Sequence, residues 1–145
     1  MKLDIIAQHE ESLFYFEKSV LLNANHNYDS ALHFIEKSLA LNPSSHIYAL
    51  FYVNILINVK DYKTANEVID RFLKNSLPEA YKLKFMRAKL KIAFSCDMDN
   101  IKNLLMDFKN FCTLDNETQE MISEKIGQIE NGKIFAHVLK FLSYI

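Results

Sequence analysis

Residues 28–39 read YDSALHFIEKSL, and residues 62–73, thirty-four positions further on, read YKTANEVIDRFL. Tyr28 answers Tyr62, Ala31 answers Ala65, Ile35 answers Ile69 and Leu39 answers Leu73. Ser30 and Thr64, Glu36 and Asp70, and Lys37 and Arg71 keep the same chemical character. An echo at this spacing constrains the fold more than any other feature of the chain. It requires a unit of two helices that recurs, with each copy burying its apolar stripe against a neighbour.

Composition points the same way. The chain has 145 residues, a single domain by length, and half of them are apolar, enough for a core. Two glycines and two prolines leave little material for the tight turns of an all-β fold. Seven Tyr and eleven Phe with no Trp must pack inside or at an interface. The net charge is −1 with both signs interleaved, so no phosphate-seeking field exists and nucleic acid is not an expected partner. Cys96 and Cys112 are too few for a disulfide framework, which fits a reducing cytoplasm. The opening MKLDIIAQHEESLF carries acids where a secretory signal needs an apolar run, and no stretch reaches the roughly 20 apolar residues of a membrane span.

Apolar spacing predicts about eight helices joined by short connections. The first runs from Leu3 to about Asn23, and the second from Tyr28 to Leu41, where Asn42-Pro43 stops it. Ser44 or Ser45 caps the third, and Asp61 caps the fourth, which ends near Asn75. Ser76-Leu77-Pro78 restarts the chain into a fifth helix reaching about Ser95. Asp97 or Asp99 opens a sixth, and Asp115 or Asn116 a seventh that Gly132 closes. The eighth spans about Lys133 to Tyr144.

These residues resemble the tetratricopeptide repeat family. Its paired helices carry small residues where the helices cross, and these fall on Ser19, Ala31 and Ser38 in the first unit, with Pro43 at its end. In the second unit Ala65 and Ile69 fit, whereas Val53 and Phe72 are larger than the pattern prefers. Small residues let helix axes approach to about 8–10 Å, so the second unit is expected to pack more loosely or with a rotation. The resemblance implies an all-α right-handed superhelix divided into repeat 1 (12–45), repeat 2 (46–77), a degenerate repeat (78–113) and a C-terminal helix pair (114–145). Beyond Pro78 the likeness is one of architecture only, since Arg87 and Asp99 fall where small residues belong.

In that family the first helix of each pair lines a concave groove. Carried over, the groove comprises Leu13, Phe16, Val20, Asn23 and Ala24 from the first unit and Ile47, Leu50, Asn54, Ile57 and Asn58 from the second. This is an apolar surface with amides, which can pair with a partner's main chain while the apolar neighbours supply the driving force. A subclass that grips C-terminal carboxylates uses Lys, Arg and Asn where this chain has Phe16, Val20 and Phe51. The surface is closer to members that hold apolar or amphipathic segments, such as the small chaperones of type III secretion translocators. The expected function is therefore a chaperone-like adaptor for another protein. Solenoids normally end in a polar face and this chain ends apolar, so its last helix is expected either to fold back into the core or to make the competing arrangement, a homodimer through Val138, Phe141, Leu142 and Ile145. An RNA-binding helical repeat comes third, weakened by the balanced charge.

No catalytic or metal-binding pattern emerges. His9, His26, His33, His46 and His137 stand at no helical ligand spacing from one another or from a cysteine. Asp97, Asp99 and Asn100 begin like a calcium loop, but Ile101 and Lys102 break it. Gly127 and Gly132 are too few to cradle a phosphate. The chain reads as a non-enzyme with no cofactor.

Overall fold

In a computed structural model, which describes residues 2–96, every regular element is helical: α1 (Lys2–Ala24), α2 (Tyr28–Leu41), α3 (His46–Asn58), α4 (Tyr62–Leu73) and α5 (Glu79–Cys96). The sixth to eighth expected helices, the pair at 114–145, residues 97–113 of the 78–113 segment and the residues Val138, Phe141, Leu142 and Ile145 lie outside the described residues. Two compact units divide the chain after Tyr81, within the first turn of α5 and close to Pro78, where the sequence echo fades.

The first unit is built in chain order: α1 packs on α2, α2 on α3 and α3 on α4. Its two hairpin turns repeat each other bond for bond. The amide of Asn27 reaches back to the Leu22 carbonyl at 2.9 Å, and thirty-four residues later Asp61 reaches Leu56, also at 2.9 Å. The amides of His26 and Lys60 bond the carbonyls of Asn23 and Ile57 at 3.0 and 3.1 Å. Both turns close through a left-handed residue, His26 at φ 60° and Lys60 at φ 64°. The long back-bond with the αL residue beside it is the Schellman geometry that satisfies the last carbonyls of a helix. Glycine usually takes that place, and neither turn has one.

Capping then starts the following helices. Asp61 accepts the Thr64 amide at 3.2 Å, and Ser45 accepts the Tyr48 amide at 3.2 Å. Asn27 makes no such side-chain cap at the start of α2. Each cap bond contributes about 1 kcal/mol.

The core follows the 34-residue register. Ala31 and Ala65, Ile35 and Ile69, and Ser19 and Val53 are each fully buried, and Ser38 and Phe72 are buried as a corresponding pair. In the α1–α2 hairpin the small residues also carry hydrogen bonds. Ser19 Oγ donates to the Ala31 carbonyl at 2.7 Å, and Ser38 Oγ donates to the Ser12 carbonyl at 2.7 Å. These two crossings fix the helices as antiparallel, because the partner number falls as the α1 number rises. They also show why serine is tolerated in the interior: both buried hydroxyls have an acceptor. The α1–α2 contact is the most extensive in the unit.

In the second unit, the described part of α5 buries Phe85, Ala88, Leu90, Ile92 and Ala93. Burial there lowers the Lys91 ammonium below its ordinary pKa, with Arg87 nearby adding to the effect.

Candidate functional site

Two helices present the residues singled out as groove-lining, α1 and α3. On α1, Leu13 and Val20 are exposed, Asn23 is half-buried, and Phe16 is half-buried against Tyr48 and Phe51 of α3, with ring centroids 4.8 and 5.4 Å apart. On α3, Ile47, Asn54 and Asn58 are exposed, while Leu50 and Ile57 are half-buried. Ala24 is exposed as well, and none of the ten is in the core. Phe16 differs from the others because it joins α1 to α3, so it forms floor rather than free surface.

The reason α3 exposes such residues is compositional. Its thirteen residues, HIYALFYVNILIN, contain no Asp, Glu, Lys or Arg. Tyr48, Ala49, Val53, Ile55 and Leu56 are buried, which leaves on the opposite side exposed Ile47, Asn54 and Asn58 with half-buried Leu50, Phe51 and Ile57. A helix apolar all round normally sits inside a core. Asn54 and Asn58 stand four residues apart, hence on one face. Asn23 Oδ1 is shut off from solvent and accepts no hydrogen bond, as is Asn66 Oδ1 on α4. A buried acceptor left unpaired costs about 1–3 kcal/mol.

The surface extends beyond the expected residues. Seven large apolar side chains among the described residues are between 38 and 66 % exposed, and six of them are on α1: Ile5, Ile6, Leu13, Phe14, Val20 and Leu21, with Ile47 the seventh. Ile6, Leu13 and Val20 recur every seven residues, as do Phe14 and Leu21. The sequence contained that signal, because seven-residue spacing places side chains in a line along a helix. Alignment to the repeat hid it: repeat 1 is taken to begin at Ser12, yet α1 runs on to Lys2, well past the level of Ser38 at which α2 crosses it. Below this extension lies an open cavity of about 180 Å³ lined by Ile5, Gln8, His9, Ser12, Leu41 and Asn42.

The opposite flank of the α1–α2 hairpin is already occupied. Tyr15 and Phe34 stack with centroids 5.9 Å apart, Lys18 lies 4.4 Å from the Phe34 ring, and Lys37 lies 5.2 Å from Tyr15. The Tyr15 hydroxyl donates to Glu11 Oε1 at 3.2 Å, and this bond raises the phenol pKa, with burial adding to the rise. Tyr52 of α3 donates to Glu36 of α2 at 3.3 Å, and burial, helped by the Glu36 charge, pushes its pKa up to about 12. Both phenols therefore stay protonated donors at neutral pH; the Tyr52 bond ties α3 to α2, whereas the Tyr15 bond stays within α1.

Among the described residues no group of three His, Cys, Asp or Glu is placed to hold a metal ion, and no helix is long and apolar enough to cross a membrane. No protein-family model, no curated protein and no solved structure matches this chain.

Proposed function

We propose that this chain is a tetratricopeptide-like right-handed superhelix of about eight helices, acting in the cytoplasm as a chaperone-like adaptor without catalytic activity. It holds an apolar or amphipathic segment of a partner protein across the face made by α1 and α3. Leu13, Val20, Ile47, Leu50 and Ile57 cover the partner's apolar side chains, Phe16 forms the floor, and Asn23, Asn54 and Asn58 pair with its polar groups.

One observation carries the reading. The exposed large apolar residues are concentrated on α1, beside a helix that has no charge of its own. Apolar patches of this kind mark interaction sites in monomeric proteins. Covering the patch supplies roughly 25 cal/mol per Å² of apolar surface removed from water.

The test is selection of helical peptides from a display library against the full chain, followed by titration with variants. Leu13→Ser combined with Ile47→Ser is expected to weaken the selected peptides at least tenfold, with melting within a few degrees of wild type because neither position belongs to the buried core. Unchanged affinity in the folded double variant would remove this face from consideration.

A further inference from the structure

The exposed ridge of α1 contains two carboxylates in unusual company. Glu10 and Glu17 are exposed and stand seven residues apart, about 10.5 Å along the helix axis. On a helix surface each side chain adjoins those three and four residues away. For Glu10 these are Ile6, Ala7, Leu13 and Phe14, and for Glu17 they are Leu13, Phe14, Val20 and Leu21. Every one of these six residues is apolar and exposed. An ordinary solvated helix places a lysine or arginine at such a spacing, and this one does not. The cations nearby are engaged elsewhere: Lys18 and Lys37 lie over Phe34 and Tyr15. Glu11, the third acid of the segment, receives the Tyr15 hydroxyl.

Two apolar rows thus run along α1 with a pair of acids between them. Whatever covers the rows also takes Glu10 and Glu17 out of bulk water, and a carboxylate buried without a counter-charge is strongly unfavourable. A second copy of the chain fails this requirement. Two α1 helices packed antiparallel about Leu13 and Phe14 set Glu10 against Glu17, and packed parallel they set each acid against itself. Anionic lipid fails for the same reason. We infer that the occupant of this ridge is an amphipathic helix of a partner protein carrying two basic residues seven apart beside its apolar stripe. This rests on the proposed partner-binding role of α1 and adds the charge of the ligand to it. Such pairs at a helix interface select partner and register more than they add affinity.

Three synthetic peptides test the inference against the full chain by fluorescence anisotropy. They share one amphipathic helical sequence with a leucine stripe and differ at two flanking positions seven apart, which hold Lys, Gln or Glu. Binding is expected to follow Lys, then Gln, then Glu, with Lys and Glu at least about fivefold apart at low salt and converging as salt rises. The double variant Glu10→Lys with Glu17→Lys is expected to invert that order; both positions are exposed, so circular dichroism should match wild type. Equal affinities, or an order the charge reversal leaves unchanged, would overturn the inference. If Leu13→Ser with Ile47→Ser still abolishes binding in that case, the partner-binding face survives and only its charge preference falls. Light scattering that shows a dimer lost on Leu13→Ser would assign the ridge to a second copy instead, against the proposal.

Discussion

The two hairpins of the first unit reach one layout by different packing chemistry. In α1–α2 the crossing points are Ser19 and Ser38, whose hydroxyls span the interface to main-chain carbonyls at 2.7 Å. In α3–α4 the same register positions are Val53 and Phe72, equally buried and wholly apolar. The first pair makes the more extensive contact, and the second places a valine and a ring at the equivalent points. The turns match to the individual bond, including left-handed His26 and Lys60. The difference shows that turn geometry and the Ala–Ile stripe set the register, while the crossing residues vary in size and polarity, the buried hydroxyls each keeping an acceptor.

The sharpest way to break this comparison is to truncate the two equivalent residues. Phe72→Ala leaves a cavity the size of a ring and should cost about 3–5 kcal/mol, whereas Ser38→Ala removes one hydrogen bond and should cost about 1 kcal/mol, both read from denaturant midpoints. Similar losses at the two sites would mean the hairpins do not pack differently. Enlarging the small side sharpens the point further: Ser38→Leu should destabilise by about 1–3 kcal/mol through overpacking, and more than the same volume change on the solvated face of α2.

The turns provide a change in the opposite direction. Lys60→Gly relieves a left-handed non-glycine residue and should raise stability by about 0.5–1 kcal/mol. His26→Gly should gain less, since it also discards the bond between His26 Nδ1 and the Tyr28 hydroxyl at 2.8 Å. Equal gains in thermal melts would show that this bond contributes nothing.

The smallest effect is at high pH. The Tyr52 phenol has its folded pKa raised from about 10 to about 12, so the folded state favours the protonated form. Its contribution is fully present below about pH 10 and fades as pH rises towards 12. Tyr52→Phe should flatten that part of the stability profile, and ultraviolet titration should show that the variant has lost a late-ionising phenol present in the wild type.

Much of this architecture could be read from particular residues. Tyr28 and Leu41 bound α2 because Asn42-Pro43 cannot continue a helix, and Asp61 marks the start of α4 because its carboxylate suits the free amides there. Ser45 settles the choice between two adjacent serines, and Pro78 marks the restart before α5. Other features had no local signal. Without glycine at His26 and Lys60, nothing in the residue types announces a left-handed turn. The hydroxyl bonds of Ser19 and Ser38 depend on which carbonyl lies opposite, which spacing alone does not give. On the candidate face, Leu13, Val20, Ile47, Asn54 and Asn58 are exposed. Ile6, Phe14 and Leu21 were missed because register from Ser12 discards the start of α1 and its outer row. Phe16 looked like free surface because a sequence does not say that Tyr48 and Phe51 will meet it.

The account stands or falls on whether the α1–α3 face takes up a partner helix. The most direct measurement compares peptide affinity for Leu13→Ser with Ile47→Ser against a control pair on exposed α4 positions, Lys63→Ser with Glu67→Ser. At least a tenfold loss is expected for the first pair and less than a twofold change for the second. Matching losses for both pairs, or no loss for either while the protein stays folded, would contradict it.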